Sequence, residues 1–363
     1  METRPSYTWP IPVEGLRHKP YALVLGASQW KNFLGPFLPE RRVKKYSKHL
    51  RQVRFIRKVI PKLLLSRGAQ LFVWGFKEPA YLERYRRFAK LPLVRIEDGF
   101  LRSVSLGAHY VPPMSLCFDA RGIYFDATGP SDLEHILATY DFDGDSALME
   151  RARAGVAAML ATGLSKYNNA KSKDTSAIFG PKERKRVLVL GQVEGDQSIL
   201  RGCTRNLGNL DAVRIAREEN PEAQIIYKPH PEVIHGTRDG QSDPKLAEAY
   251  SEVLYDSVAL ADVFVGVDHV YTITSLAGFE ALMRGLKVTC LGAPFYSGWG
   301  LTDDRQWVDR RGRQLTVEQV FAAAYILYSR YCNPFTLEAI TFEQALDLLG
   351  RMRSGEIAET RVS

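Results

Sequence analysis

Cysteine, long apolar runs and a secretory leader pattern are scarce or missing in this sequence of 363 residues. Its four cysteines, Cys117, Cys203, Cys290 and Cys332, lie far apart and match no disulfide framework or metal-ligand spacing. No apolar run approaches the roughly 20 residues that a membrane-spanning helix needs. The amino terminus, METRPSYTWPIPVEG, lacks the basic-then-apolar order of a secretory signal. These absences argue against an integral membrane protein and predict a reducing, cytoplasmic setting.

An acidic excess is also missing, because 49 Lys and Arg residues outnumber 41 Asp and Glu residues, for a formal net charge of +8. Much of the basic excess lies between Arg41 and Arg87. Such a surface suits anionic lipid, nucleic acid or an acidic substrate, although solvated faces of amphipathic helices give the same pattern. No RNA- or DNA-binding module is recognisable, so nucleic acid is not expected and the inner membrane face is preferred.

The length favours two domains, because a single compact core rarely serves more than about 250 to 300 residues. Apolar runs alternate with helix-like segments, which predicts an α/β fold with doubly wound parallel sheets and a cleft. The expected divisions are a lead-in or linker at 1–18, an N-terminal domain at 19–168, a linker at 169–186, a C-terminal domain at 187–320, and C-terminal helices at 321–363 that pack back towards the first domain.

Four element assignments complete this prediction. Arg41–Ser66 has apolar residues at helical spacing and is predicted to be helical. Leu116–Asp126 is predicted to form a hairpin around a turn that contains Gly122. Val263–Val265 is predicted to be a strand, and Val317–Tyr331 an amphipathic helix.

Candidate chemistry begins with Val187–Ile199, VLVLGQVEGDQSI. An apolar run that ends in Gly191 and acidic residues predicts a buried parallel strand that opens into a loop at its carboxyl end. Ligands bind along that edge of open α/β sheets. Taken alone, the segment favours an ordinary loop in which Asp196 caps the next helix.

Two further segments follow predicted strands. In Lys228-Pro229-His230-Pro231, two prolines fix the backbone and place a cation and an imidazole where they suit an oxyanion such as phosphate. A structural histidine is the alternative. Thr274–Ala281 is a strand-to-helix junction whose free N–H groups suit phosphate, while Glu280 could hold ribose hydroxyls. Ser275 could equally be a helix cap and Gly278 a site of close packing, and both interpretations can hold together.

Two loops add weaker signals. Glu97-Asp98-Gly99 follows a predicted strand, where a carboxylate could act as a base or bind hydroxyl groups. The alternative is an ordinary turn with charged side chains at its edge. Gly292–Asp304 is rich in glycine and is predicted to expose Phe295, Tyr296 and Trp299 as a lid or sugar platform. Packing at a domain interface is the alternative for these aromatic residues.

Seven motifs follow one another in a fixed order: RIEDGFLRS (95–103), GIYFDAT (122–128), LSKYN (164–168), GQVEGDQSI (191–199), YKPHPEV (227–233), TSLAGFEAL (274–282) and PFYSGWGLT (294–302). Together they resemble the capsule polysaccharide synthesis protein family KpsC, over about residues 70 to 345. The first 65 residues match poorly, and each motif is present once, as in a single module or an excised one. Three of the motifs, GQVEGDQSI, YKPHP and TSLAGFEAL, are most similar to the carboxyl-terminal module of that family.

The resemblance implies a GT-B glycosyltransferase with two Rossmann-like domains, an acceptor domain followed by a CMP-sugar domain. It implies a retaining β-Kdo transferase that uses CMP-β-Kdo as donor and a Kdo-terminated (lyso)phosphatidylglycerol-type glycolipid as acceptor, in synthesis of the capsule polysaccharide linker. A β-(2→7) linkage, a second transferase module in the full-length protein and a peripheral position at the inner membrane of a Gram-negative bacterium are also expected. A more distant similarity to bacterial sialyltransferases rests on the paired-acid-Gly and His-Pro motifs.

The resemblance also implies roles for individual residues. Asp196 falls at the position of the family's nucleophilic Asp, and Asp98, beside Glu97, matches the acid that serves sialyltransferases as acceptor base. Lys228 and His230 would meet the CMP phosphate. The donor-binding set is completed by Gln192, Ser198, Pro231, Ser275, Leu276 and Glu280.

The chemistry of such a transfer agrees with these roles. Double displacement needs a carboxylate on the sugar face opposite the leaving group. The phosphate leaving group needs charge neutralisation, so no metal or other cofactor is expected. Kdo brings its own carboxylate, which Arg102 or Arg205 could bind, and Tyr296 and Trp299 could contact sugar. Two rivals stay open: an inverting, sialyltransferase-like enzyme with Asp98 as base, and a non-catalytic basic membrane-docking module.

Overall fold

Two compact units make up the described part of the chain. The computed structural model describes residues 18–27, 31–89, 91–104, 111–166, 168, 174–234 and 241–358. Contacts group residues 1–123, 131–133 and 323–363 in a first unit, and residues 124–130 and 134–322 in a second. The predicted lead-in, apart from residue 18, lies outside the described residues, and so do Tyr167 and residues 169–173 of the predicted linker.

The described residues form strands and helices with the following bounds. The strands are β1 (Tyr21–Leu25), β2 (Arg42–Tyr46), β3 (Gln70–Trp74), β4 (Leu93–Asp98), β5 (Ser115–Asp119), β6 (Arg186–Leu190), β7 (Gln224–Lys228), β8 (Glu252–Val253), β9 (His269–Thr272), β10 (Lys287–Cys290), β11 (Asp303–Asp304), β12 (Ser329–Cys332) and β13 (Ala339–Ile340). The α-helices are α1 (Leu34–Phe37), α2 (Gln52–Lys58), α3 (Ile60–Leu65), α4 (Ala80–Ala89), α5 (Asp132–Thr139), α6 (Ser146–Thr162), α7 (Ser176–Phe179), α8 (Gln197–Gly202), α9 (Asn209–Glu219), α10 (Pro231–Ile234), α11 (Leu260–Val265), α12 (Leu276–Met283), α13 (Val317–Phe321) and α14 (Phe342–Arg353). Pro244–Ala249 is a 3₁₀-helix and Ala322–Tyr328 a π-helix.

The first unit is built on a mixed sheet of order β13-β12-β5-β4-β3-β1-β2. Strands β2, β1, β3 and β4 are parallel, whereas β5, β12 and β13 run antiparallel to their neighbours. Strand β3 is buried along its whole length and β1 along all but its first residue, and both are apolar apart from Gln70 at the start of β3. Alternate residues supply opposite faces: Val24 and Phe72 pack in one core cluster, Leu23 and Leu71 in the other.

The second unit is built on a wholly parallel sheet of order β11-β10-β9-β6-β7-β8. The chain leaves β6 for β7 on one side and later returns to β9 on the other side. The carboxyl end of β6 is therefore a topological switch point, where open α/β sheets bind their ligands. The two sheets, one mixed and one wholly parallel, confirm the predicted α/β fold of two Rossmann-like domains, the arrangement expected of a GT-B glycosyltransferase. Among the described residues, no helix is both long and apolar enough to cross a membrane.

Two predicted segments of the first unit are wrong in part. Arg41–Ser66 is not one helix, because its first part forms strand β2, which pairs with β1 in parallel at the sheet edge. The basic side chains of this strand hide its apolar signal. Leu116–Asp126 is not a hairpin, because β5 ends at Asp119, whose carboxylate accepts the N–H groups of Arg121 and Gly122 at 2.9 and 2.7 Å. That carboxylate closes a tight turn, and no returning strand follows.

Two assignments later in the chain also need correction. Val263–Val265 is the carboxyl half of helix α11, since a run of three apolar residues does not distinguish helix from strand. Within Val317–Tyr331, helix ends at Tyr328, and the following residues form β12, which pairs antiparallel with β5.

The two compact units and the predicted domains divide the chain differently at helix α6. The sequence analysis places the boundary after residue 168, whereas contacts place α6 in the second unit, where it packs against α13. Residues 323–363 lie in the first unit and supply β12, β13 and α14. Strand pairing with β5 ties this last segment to a sheet that begins some 300 residues earlier.

Candidate functional site

The loop after β6 begins in direct contact with the loop after β7. The N–H group of Gly191 donates to the carbonyl oxygen of Lys228 at 2.8 Å. A Cβ atom on Gly191 would lie 2.9 Å from that oxygen and from Cα of Pro229, and 3.0 Å from the nitrogen of His230. Only glycine permits this approach without backbone movement, so the Gly191 and Lys228–Pro231 motifs are held together by packing.

Gln192 joins the loop after β6 to the loop after β9. Its buried Oε1 accepts the N–H group of Thr274 at 2.8 Å, and its Nε2 donates to Oγ1 of Thr274 at 3.1 Å. Its own N–H group donates to Oδ1 of Asn209 at 2.9 Å. The sequence places Gln192 in the donor-binding set, and in the structure its side chain positions the loops around that set.

Glu194 and Asp196 lie two residues apart but have different surroundings. The carboxylate of Glu194 accepts the N–H group of Asn209 at 2.7 Å, and the N–H and hydroxyl groups of Ser242 at 2.9 and 2.7 Å. Asp196 is the first residue before α8, its side chain makes no capping hydrogen bond, and it is exposed. Asp196 therefore occupies the N-cap position as the capping interpretation expects, but its carboxylate does not make the capping hydrogen bond and faces solvent at the switch point. Ser198, in α8, is half-buried.

Lys228 and His230 stand at the carboxyl end of β7. Burial lowers the pKa of Lys228 to about 8, partly offset by the nearby negative charge of Asp256. The Nδ1 atom of His230 accepts the N–H group of Glu232 at 3.2 Å. In the neutral ring the proton therefore sits on Nε2, which is then a hydrogen-bond donor. Pro231 is the first residue of the short helix α10.

The junction after β9 combines a helix cap with a buried acid. Ser275 caps α12, since its hydroxyl accepts the N–H group of Ala277 at 3.2 Å, and Leu276 is the first residue of that helix. Glu280 is fully buried one turn in, where desolvation raises its pKa to about 7 and the positive charge of Arg284 opposes that rise. Its Oε1 accepts the N–H group of Lys166 at 3.4 Å, which links this helix to the LSKYN motif.

The glycine-rich loop at 292–304 is not an exposed platform. Phe295, Tyr296 and Trp299 are all buried, so the expectation that they form an open lid is wrong. The hydroxyl of Tyr296 donates to the carbonyl oxygen of Ser275, and a side chain on Gly278 would collide with that ring. These aromatic residues pack the loop onto the start of α12.

Arg311 holds this loop down and was not identified from the sequence. Its guanidinium is buried, donates to the carbonyl oxygen of Pro294 and to Ser297, and forms an ion pair with Glu134 at 3.0 Å. The adjacent pair Arg310-Arg311 was its only sequence signal, and it resembles ordinary surface charge. Arg205, which the sequence analysis assigned to a sugar carboxylate, is exposed and donates weakly to the carbonyl oxygen of Leu291 at 3.4 Å.

The first unit contains the paired acids at the end of β4. Asp98 accepts Nε of Arg102 at 2.8 Å, and the N–H group of Asp98 donates to the Glu97 carboxylate at 3.0 Å. Arg102 is buried and also donates to Ser103 and to the carbonyl oxygen of Val111. Its guanidinium is therefore engaged by the protein itself, which differs from the expected contact with a sugar carboxylate.

Lys31 belongs to the same group and was missed by the sequence analysis. It is buried, with Nζ 2.9 Å from the centre of the Trp74 ring. Burial lowers the pKa of Lys31 to about 7, although the negative charges of Asp98 and Glu97 raise it. Strands β1, β3 and β4 are neighbours, so a residue after β1 can meet residues that end β3 and β4. The sequence did not indicate this position, because Lys31 is a single lysine in the amino-terminal segment that matches the KpsC motifs poorly.

The structure thus gathers the predicted residues in two groups. In the second unit, Asp196, the Lys228–Pro231 segment and the start of α12 follow three adjacent parallel strands at one sheet edge. In the first unit, Glu97 and Asp98 end β4 and Arg102 follows it, while Lys31, in the segment after β1, is close enough to feel the charges of both acids. Within the described ranges, no group of three or more His, Cys, Asp or Glu side chains is placed to hold a metal ion.

Known proteins resemble this chain over most of its length. A profile of the capsule polysaccharide biosynthesis protein family matches residues 69–331. The lipopolysaccharide-processing protein LpsZ of Rhizobium meliloti is 43% identical over 345 residues, which are 94% of this chain and 77% of LpsZ. The capsule polysaccharide modification protein LipA of Neisseria meningitidis serogroup B is 39% identical over 333 residues, 91% of this chain but 45% of LipA. The chain therefore spans less than half of LipA.

Two solved structures of KpsC from Thermosulfurimonas dismutans are similar in fold and sequence. The β-Kdo 2,4 transferase has a TM-score of 0.76 and 35% identity, and the comparison covers 92% of this chain and 98% of that one. The β-Kdo 2,7 transferase has a TM-score of 0.72 and 32% identity, with 92% and 99% coverage. These matches confirm the resemblance that the seven motifs indicated. The chain belongs to the capsule polysaccharide biosynthesis protein family, among the relatives of KpsC.

Proposed function

We propose that this protein is a retaining β-Kdo transferase that moves Kdo from CMP-β-Kdo to a Kdo-terminated glycolipid of the (lyso)phosphatidylglycerol type. The Kdo-transferase activity of the two KpsC structures, each about a third identical to this chain, supports the reaction class. CMP-β-Kdo as donor, retention of configuration and the glycolipid acceptor are further parts of this proposal.

One observation favours this function over others that an α/β fold can host. The loop that carries Asp196 starts in backbone contact with the loop that carries Lys228 and His230. An exposed carboxylate, which accepts no hydrogen bond from the described residues, thus lies on the same sheet edge as two groups suited to a phosphate. This is the combination that attack on a phosphate-activated sugar requires.

In the proposed first step, the Asp196 carboxylate attacks C2 of Kdo. A bond forms between the Asp196 oxygen and C2 while the bond from C2 to the phosphate oxygen breaks, and CMP leaves with the electron pair. Lys228 and the Nε2–H group of His230 would neutralise the departing phosphate. The positive end of the α12 dipole would add to this neutralisation.

In the proposed second step, an acceptor hydroxyl attacks C2 and displaces the Asp196 carboxylate. The hydroxyl loses its proton to a base, for which we propose Asp98, with Glu97 beside it. Two inversions give net retention, so the β configuration of the donor persists in the product. The identities of 35% and 32% to the 2,4 and 2,7 transferases do not separate the linkages. The three motifs most similar to the carboxyl-terminal KpsC module lead us to propose β-(2→7).

Substitution of Asp196 tests this function against a matched control two residues away. Asp196→Asn should reduce transfer at least about 10³-fold, because the nucleophile is removed, while thermal stability and CMP affinity stay unchanged. Glu194→Gln should instead lower the free energy of unfolding by about 1 to 2 kcal/mol, because partly buried hydrogen bonds to Asn209 and Ser242 are weakened.

Kinetics with CMP-β-Kdo and a Kdo-terminated acceptor, together with thermal melts and CMP titrations, separate the two effects. Normal turnover by Asp196→Asn would remove Asp196 from the mechanism. A product of inverted configuration would favour the sialyltransferase-like alternative with Asp98 as the essential acid.

A further inference from the structure

Residues 51–67 of the first unit, RQVRFIRKVIPKLLLSR, form an unusual surface that we call the α2–α3 surface. Four large apolar side chains in this short stretch are exposed: Val53 by 59%, Ile56 by 45%, Leu64 by 78% and Leu65 by 85%. Adjacent exposed leucines at the end of a helix are costly in water unless another apolar phase covers them.

The same stretch contains only basic charges. It has six cations and no Asp or Glu, and among the described residues none of the six forms an ion pair with a carboxylate. Five of the six are exposed, and Lys62 is half-buried with its ammonium on the carbonyl oxygen of Lys58 at 2.8 Å. The cations are Arg51, Arg54, Arg57, Lys58, Lys62 and Arg67.

The opposite side of the two helices is firmly packed. Phe55 and Val59 are fully buried in a core cluster, and Leu63 packs against it. The Phe55 ring lies 5.5 Å from the Tyr81 ring and 5.6 Å from the Tyr85 ring, measured between centroids. The exposed leucines and cations are therefore presented by an anchored element rather than by a loose segment.

We propose that the α2–α3 surface docks the protein on an anionic lipid bilayer, with Leu64 and Leu65 inserted at the headgroup level and the cations on lipid phosphates. Interfacial helices bind in this way, through apolar side chains flanked by Lys and Arg. This inference rests on the proposed function to the extent that the acceptor is a glycolipid.

Other occupants fit less well. Nucleic acid would meet the cations but offers nothing for two protruding leucines. A second copy placed face to face would bring six cations against six and leave them unneutralised. An anionic bilayer satisfies both the charges and the apolar side chains.

Vesicle cosedimentation of the full chain tests the proposal, with vesicles of about one third phosphatidylglycerol in phosphatidylcholine and with pure phosphatidylcholine. The wild type should bind only the anionic vesicles. Arg54→Gln/Arg57→Gln/Lys58→Gln should weaken binding about 100-fold, at roughly fivefold for each cation near the membrane. Leu64→Ser/Leu65→Ser should weaken it about tenfold at unchanged charge.

The second unit supplies matched controls. Val265 is 84% exposed, and Val265→Ser should leave binding unchanged. Arg214→Gln/Lys245→Gln/Lys287→Gln removes three exposed cations from that unit and should have a much smaller effect than the triple variant in α2. Unchanged CMP affinity in every variant shows that each one is folded.

Three results would overturn the proposal. The first is an equal loss of vesicle binding in the two triple variants. The second is unchanged vesicle binding by the leucine variant, together with competition by an RNA duplex for the same cations. The third is a dimer, seen by sedimentation equilibrium, that dissociates in the leucine variant. A wild-type protein that binds anionic vesicles but transfers no Kdo would refute the proposed function alone. Intact transfer with no vesicle binding would refute this inference alone.

Discussion

Glu280 illustrates at the residue scale how burial shifts the pKa of an acidic side chain. It is buried one turn into α12, and desolvation raises its pKa to about 7. Between pH 4.5, the ordinary pKa of a glutamate, and about pH 7, the folded state therefore holds a proton on this side chain that the unfolded state releases. Stability falls as pH rises through this window, and the cost is fully present above about pH 7.

Glu280→Gln should therefore stabilise the protein at pH 8 by about 3 kcal/mol and much less at pH 5, since a neutral amide carries no desolvation cost for charge. The same change should weaken CMP binding about tenfold if Glu280 holds the ribose hydroxyls. Calorimetric melts at both pH values and CMP titrations measure the two effects. The exposed Glu222→Gln is the control, and equal stabilisation at pH 5 and pH 8 would contradict the account.

The sequence was informative about where candidate residues lie relative to the strands. Asp196, Lys228, His230 and Ser275 were predicted near the carboxyl ends of strands because a short apolar run precedes each of them, and they lie at or after the ends of β6, β7 and β9. The hydrogen bonds by which Glu194 ties its loop to Asn209 and Ser242 could not be predicted, because these partners lie 15 and 48 residues further along the chain. Such distant partners become neighbours only through the sheet order.

At the element scale, the site depends on how closely the loops after β6 and β7 approach. A Cβ atom added to Gly191 would lie 2.9 to 3.0 Å from backbone atoms of Lys228, Pro229 and His230. Backbone atoms cannot move aside as a side-chain tip can. A larger residue must therefore separate the ends of two paired strands.

Gly191→Ala should lower the free energy of unfolding by about 1 to 3 kcal/mol, because the loop that carries Lys228 and His230 is displaced. If that loop binds the donor phosphate as proposed, CMP binding should weaken as well. Gly129→Ala is the matched control, since nothing lies within 4 Å of its built Cβ. Urea unfolding and CMP titration of both variants measure the difference. An unaltered CMP affinity in Gly191→Ala would mean that the contact does not position the donor loop.

Element prediction succeeded where a buried apolar run ends abruptly. Strand β6 was predicted close to its true bounds because its apolar run stops at Gly191. Strand β2 was missed because RVKKY is a half-exposed edge strand whose basic residues mimic a helix face. Tertiary pairing with β1, rather than local preference, decides its structure.

At the scale of the whole molecule, the last 41 residues complete the first unit. Phe342, at the start of α14, is 2% exposed, and its ring lies 6.1 Å from Tyr325 and 5.9 Å from Tyr331. The first sheet is therefore finished only after the second unit has been synthesised. No local sequence pattern indicates that the chain returns to the first sheet, which is why the π-helix and β12 were predicted as one continuous helix.

Phe342→Ala should cost about 3 to 5 kcal/mol, because a fully buried aromatic side chain leaves a cavity in the first unit. Phe335→Ala, at a residue that is 42% exposed, should cost less than about 1 kcal/mol. CMP affinity should survive in both variants at low temperature, since the residues that we propose to bind the donor lie in the second unit. Calorimetry and CMP titration check this, and loss of CMP binding in folded Phe342→Ala would contradict that division of roles.

The central claim is that Asp196 forms a covalent bond with the sugar during a retaining transfer. Its most direct test is mass spectrometry of the protein after incubation with CMP-β-Kdo alone, followed by NMR of the product formed once acceptor is added. The account predicts one Kdo adduct, localised to the peptide that contains Asp196, and a β-linked product. Absence of the adduct, together with an α-linked product, would contradict it.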